Sequence, residues 1–240
     1  MRGIKSLALL SCLALSGCLE IEQTVTLTAD GSGTQSVRMV IREGLLTELA
    51  RRQPAARLGE QGDPLAVFHK EKVDKELTEA GLALTAHKVD RVSGMRHVDL
   101  TASFANFATL QKSPLCGSSA EWELQKGPKP GLGKLTLYPQ GKIAWQQARQ
   151  KAKSMATQLD PVAEAFLRKR QKELAGLDVV VRFKLPGKVF MWTKNMKKTG
   201  EQEVTAKVTA AQIKTAQDLV RRLAPRYEVI FDARGTKLFE

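Results

Sequence analysis

Apolar and polar residues alternate through most of this chain, and the alternation is punctuated by short glycine-bearing turns. From Glu20 to Thr28 the apolar positions Ile21, Val25 and Leu27 fall two apart, with Gln23 in the register between them. Asp30-Gly31-Ser32-Gly33 then turns the chain into Val37, Met39 and Ile41. Period two on both arms of a Gly-rich turn predicts a β-hairpin. Leu82 to Val92 and Met95 to Phe104 repeat the pattern about Ser93-Gly94. A third pair, Glu121 to Leu124 and Lys134 to Tyr138, is joined by the loop Lys126 to Gly133. Consecutive hairpins imply an antiparallel sheet.

Between the hairpins the period changes. Residues 44–80 read as helical, broken by Pro54, Gly59, Gly62 and Pro64 and ended by Gly81. From Ile143 to Leu174 the residues Trp145, Ala148, Ala152, Met155, Leu159, Ala163, Phe166 and Leu174 fall mostly three or four apart, which predicts a long amphipathic helix with a break or kink at Asp160-Pro161. Its other face carries Lys142, Arg149, Lys151, Lys153, Arg168, Lys169, Arg170 and Lys172. Such a face meets water or anionic headgroups equally well. A strand from Leu177 to Leu185, an extended piece Val189 to Trp192, a strand Glu203 to Val208, a helix Thr209 to Leu223 and a last strand Tyr227 to Phe231 complete the chain. The economical architecture is α+β: an antiparallel β-sheet with amphipathic helices packed on one face, in a single domain.

That domain follows a leader. Met1-Arg2-Gly3-Ile4-Lys5 is charged, Leu7 to Leu15 is apolar, and Leu15-Ser16-Gly17-Cys18 has the form of a lipobox. An n-region, a short h-region and small residues before a cleavage point mark an export signal, too short to span a bilayer core of about 30 Å. Residues 1–17 are thus expected to be a lipoprotein signal peptide, and 18–240 a lipid-anchored domain acylated at Cys18, with diacylglycerol and a further chain such as palmitate. Two acyl chains make anchoring stable where one does not. The expected location is the cell envelope, and Leu19 rather than Asp after the cysteine favours the outer membrane where a cell has two. The first strand begins one or two residues after Cys18, a linker reaching less than about 10 Å, so the domain is held against its membrane.

Charge sharpens this picture. Removal of residues 1–17 takes away Arg2 and Lys5, so 38 basic residues become 36 against 25 acidic ones, a net charge of +11. Outside the cytoplasm the abundant polyanions are lipid headgroups and envelope polymers, so the expected partners are the membrane and an anionic lipid or lipoglycan, with no nucleic acid. Cys12 leaves with the signal and Cys18 is alkylated, which strands Cys116 without a disulfide partner. His69, His87 and His97 have no metal-ligand spacing, no G-x-S-x-G frame surrounds Ser118 or Ser119, and Gly131-Leu132-Gly133-Lys134 lacks the rest of a phosphate loop. No catalytic residue, metal ligand or cofactor site is expected, and the chain reads as a non-enzyme.

Cys18, the turn Asp30-Gly31-Ser32-Gly33, and the late segment Leu185-Pro186-Gly187-Lys188-Val189 followed by Asn195 occur here in an order that resembles the LppM-type bacterial lipoproteins. The resemblance implies a β-rich or α/β domain enclosing an apolar cavity, with a role in binding or presenting a lipid or lipoglycan. On the residues, Trp122, Trp145, Phe166 and Phe183, with Val25, Phe104 and Leu137, are the candidates for lining such a pocket, and for each plain core is the simpler reading. The competing function is a structural or assembly lipoprotein that docks an envelope protein.

Overall fold

The computed structural model describes residues 19–44, 66–157 and 174–239, together with 161, 164, 165, 167 and 168. The expected signal peptide, the expected lipobox residues Leu15, Ser16 and Gly17, Cys18, Phe166 and most of the first expected helical stretch lie outside the described residues. The α+β class holds. The strands divide between two sheets, and one pairing is parallel.

Each hairpin expected from local alternation is present. β1 (Leu19–Leu27) and β2 (Gly33–Arg42) pair antiparallel from Leu19↔Ile41 to Leu27↔Gly33. β3 (Ala83–Val92) pairs with β4 (Met95–Phe104), and β5 (Glu121–Lys126) with β6 (Leu132–Tyr138). β7 (Leu177–Lys184) then runs parallel to β1, with Leu19 opposite Leu177 and Thr26 opposite Lys184. β8 (Val189–Trp192), β9 (Met196–Gly200), β10 (Glu203–Thr209) and β11 (Tyr227–Asp232) complete the strands. The seven-stranded sheet has the order β3-β4-β2-β1-β7-β10-β9, and the four-stranded sheet the order β5-β6-β11-β8.

The two sheets share one core. Alternate residues of the large sheet, among them Val25, Val37, Leu100, Val181, Phe183 and Val204, are buried on the face that meets Trp122, Leu137, Tyr227, Val229 and Phe231 of the small one. Burying such side chains contributes about 1.5–3 kcal/mol each. The opposite face of the large sheet is polar and open, with Arg38 near Asp99, Arg182 between Glu22 and Glu203, and Lys207 on Asp178.

Helix α1 (Lys70–Glu79) buries Val73 and Leu77 beside β3, and Gly81 at φ 83° ends it, with the amide of Leu82 donating to the carbonyl of Leu77 at 2.8 Å. A single turn, α2 (Phe107–Leu110), is capped by the Asn106 side chain. α3 (Lys142–Thr157) is the start of the expected basic helix and packs against α4 (Ala216–Leu223), with the Gln217 side chain donating to the carbonyl of Ala152.

One expected helix is two elements. Thr209 to Leu223 breaks into a 3-10 turn, Ala210–Gln212, and α4. Ile213 turns into the core at the break, and Thr215 caps α4 by accepting from the amide of Asp218 at 3.0 Å while the Asp218 carboxylate accepts from the amide of Thr215 at 3.1 Å. This capping box at Thr215, the second after that of Thr209 and Gln212, outweighs continuation of the helix. β9 was not expected either: Lys197-Lys198 hides it from an apolar-alternation reading, and pairing with β10 alone makes it a strand.

Candidate functional site

The candidate pocket residues fall into two places. Trp122 on β5 and Phe183 on β7 meet edge-on with ring centroids 5.8 Å apart, and Phe183 meets Tyr227 of β11 at 6.5 Å. Val25, Phe104 and Leu137 are buried in the same core. These rings interdigitate between the sheets as packed side chains do. Desolvation between the sheets pushes the Tyr227 phenol up to about 12.

Beside Trp122 lies a buried polar cluster that no motif announces. β1 and β2 each send a glutamine inward where an apolar residue would continue the pattern. The side-chain amides of Gln23 and Gln35 donate to the Sγ of Cys116 at 2.8 and 3.1 Å, and the Ser113 hydroxyl donates to Oε1 of Gln35. The cluster satisfies groups that would otherwise be costly to bury, and it ties the loop before β5 to the large sheet. Burial pushes the Cys116 thiol up to about 12, although the two amides and the Trp122 side chain pull in the other direction. Cys116 is thus a protonated, inert thiol and a hydrogen-bond acceptor, with no nucleophilic character at neutral pH.

Trp145 sits elsewhere. Half-buried at the start of α3, it packs on Tyr138 with centroids 5.6 Å apart, and the guanidinium groups of Arg226 and Arg149 lie 4.8 and 5.6 Å from its ring centroid. Both are within cation–π range. Lys142 pairs with Glu123 at 2.7 Å, which holds its ammonium above the usual lysine range. Burial and the Glu123 carboxylate raise the Tyr138 phenol.

The cationic cluster continues into β8. The backbone carbonyl of Arg226 accepts from Nδ2 of Asn195 at 3.1 Å and from the Thr193 hydroxyl at 3.5 Å, and Thr193 directly follows Trp192. β8 is the edge strand of the small sheet. Val189 is buried, but Phe190, Met191 and Trp192 are 46%, 61% and 40% exposed. Met191 lies opposite Ile230 and Trp192 opposite Val229, so the strand carries large apolar groups to both sides of the sheet. The stretch 179–200 itself contains Arg182, Lys184, Lys188, Lys194, Lys197 and Lys198 and no Asp or Glu, although Arg182 pairs with Glu22 and Glu203 on the neighbouring strands.

The two glycine motifs that carry the family resemblance serve the backbone. Gly31 takes φ 86°, and a Cβ at Gly33 would collide with the Thr26 carbonyl and the Phe104 ring. At Gly187 a Cβ would collide with the carbonyl of Asp232, where the turn into β8 crosses the end of β11. The Asp30 carboxylate accepts from the hydroxyls of Thr28 and Ser32 and from the Ser32 amide, bonds that hold its pKa down to about 2. Among the described residues no cluster of His, Cys, Asp and Glu has the form of a metal site. No described helix is long and apolar enough to cross a membrane.

No protein-family model and no curated protein matches the sequence. Among solved structures, the chain is similar to the NMR structure of the folded domain of the Mycobacterium tuberculosis LppM protein, with 11% identity, a TM-score of 0.43 and 91% of each chain covered. At that identity and TM-score the likeness assigns neither family nor function, and the functional reading rests on this chain's own residues.

Proposed function

We propose that the protein is an acyl-anchored lipoprotein of the cell envelope, with no catalytic activity, whose β-rich domain binds or presents a lipid or lipoglycan at the membrane that holds it. The observation that carries this reading is the lipobox Leu15-Ser16-Gly17-Cys18 with β1 starting at Leu19. A tether that short keeps the domain at the headgroups. The net charge of +11 left after removal of the leader supports an anionic ligand, and Leu19 supports outer-membrane sorting in a two-membrane cell.

Because Trp122 and Phe183 belong to the packed core while Trp145 lies under two arginines near the surface, the lipid or lipoglycan headgroup is assigned to the cationic surface around Trp145, Arg149 and Arg226. Two measurements test the reading. Cys18→Ser should abolish acyl labelling and membrane retention; normal labelling and retention would remove the anchor. Native mass spectrometry of the acylated protein should find a co-purifying lipid. A clean apo mass accompanied by a stoichiometric envelope protein would favour the docking role instead.

A further inference from the structure

We infer that the β8 edge is a second membrane contact: Phe190, Met191 and Trp192 enter the interfacial layer of an anionic bilayer, with Lys188, Lys194 and Lys197 on its headgroups. The inference rests on the anchored reading above and adds a surface and an orientation to it.

Three large apolar side chains in succession, each 40% exposed or more, stand on a strand that has a partner on one side only in its sheet. In water such a strand is unfavourable, and soluble folds usually blunt an edge with charge rather than with aromatic and Met side chains. Here the charge is present but displaced to the flanks. Lys188, Lys194 and Lys197 are exposed, and Lys198 is held back by donating to the carbonyl of Val189 at 3.0 Å. The segment between Asp178 and Glu201 carries no carboxylate, and the two acids of the neighbouring strand are paired, Glu228 with Arg226 and Asp232 with Arg234. Lysine is depleted in protein–protein interfaces, whereas long lysine stems reach from an apolar layer to headgroups and Trp favours that same boundary. An apolar tip with a lysine rim therefore matches a bilayer better than a protein partner.

The position of β8 sets how the domain lies. Leu177 stands beside Leu19, next to the anchor, and β7 runs from there to Lys184 beside Thr26, about 23 Å further along β1 at roughly 3.3 Å per residue. The turn Leu185 to Lys188 and β8 follow at that far end. One membrane plane holds both the acyl chains and the β8 tip only when β1 lies along the surface instead of standing on it.

The test uses the acylated protein on liposomes, with an environment-sensitive fluorophore introduced through Met191→Cys; buried Cys116 does not compete for the label. An identical label introduced through Ala86→Cys, on exposed β3 at the opposite edge of the large sheet, is the control. On vesicles containing phosphatidylglycerol, the label at 191 should shift to the blue and be quenched by lipids carrying a shallow nitroxide, while the label at 86 stays aqueous. Lys194→Glu combined with Lys197→Glu should abolish the shift. A label at 191 that stays aqueous while the protein floats with the vesicles, or that shifts equally on pure phosphatidylcholine, overturns the inference. Failure to float at all would instead count against the acyl anchor, so the two readings fail separately.

Discussion

The indole of Trp122 meets the ring of Phe183 at 5.8 Å across the space between two sheets, whereas Trp145, twenty-three positions later in the chain, meets cations. The two tryptophans should therefore answer differently to truncation. Trp122→Ala should cost about 3–5 kcal/mol of stability, as removal of a packed core aromatic does. Trp145→Ala, which forfeits surface cation–π contacts worth about 0.5–1 kcal/mol each, should cost less than half as much. Urea unfolding of the purified proteins, followed by circular dichroism, reads both, and equal losses would refute the separation of core from surface.

Cys116 offers a test of the buried polar cluster. In the mature protein acylated at Cys18 as proposed, the fold should present no reactive thiol to a disulfide reagent at pH 8, and one thiol should appear on unfolding in denaturant. The pKa of Cys116 is raised from 9.0 to about 12 in the folded state. Its protonated form is therefore favoured by folding: the stabilisation is fully present below pH 9 and is lost as pH rises toward 12. Cys116→Ala should flatten the slope between pH 9 and 10, below the range in which the raised Tyr227 phenol also contributes, which urea midpoints measured from pH 8 to 10 would show.

Asp30 has the opposite sign. Its carboxylate is held from 3.8 down to about 2 by the hydroxyls of Thr28 and Ser32, so its contribution is present above pH 3.8 and is lost as pH falls through 2. Carboxyl NMR titration should place Asp30, like the Arg234-paired Asp232, well below the usual aspartate range. Thr28→Val should move it back toward the usual range.

The hairpin glycines should rank by space. Gly33→Ala forces a Cβ into the Thr26 carbonyl and the Phe104 ring, and overpacking of this kind costs about 1–3 kcal/mol. Gly94→Ala meets nothing within 4 Å and loses only the left-handed preference of its φ of 75°, about 1–2 kcal/mol. Thermal melts should place Gly33→Ala at or below Gly94→Ala, and the reverse order would show that the β1–β2 hairpin yields at that point.

Much of the architecture is local and was legible as such. The alternation around Asp30-Gly31-Ser32-Gly33 and around Ser93-Gly94 predicts hairpins that form with the stated partners, Leu27 opposite Gly33 and Val92 opposite Met95. The candidate site was legible only in part. Trp145 and the basic residues of α3 are visible in sequence, but their continuation through Arg226 and Asn195 to Trp192 depends on residues far apart in the chain. Nothing in the string marks Gln23 and Gln35 as partners of Cys116 either, since each simply interrupts an apolar alternation.

What the sequence by itself determined is the period of each segment and the chemistry of the leader: which stretches are strands or helices, where glycine turns them, and where an acyl chain is expected. The tertiary structure alone decided that Leu19 pairs in parallel with Leu177, that the strands form two sheets, and that Val189 is buried while Phe190, Met191 and Trp192 are left exposed. The reason is physical. Alternation specifies that a strand has two unlike faces, and an apolar run that it lacks a polar one, but whether a second layer covers those faces depends on pairings across some 150 residues.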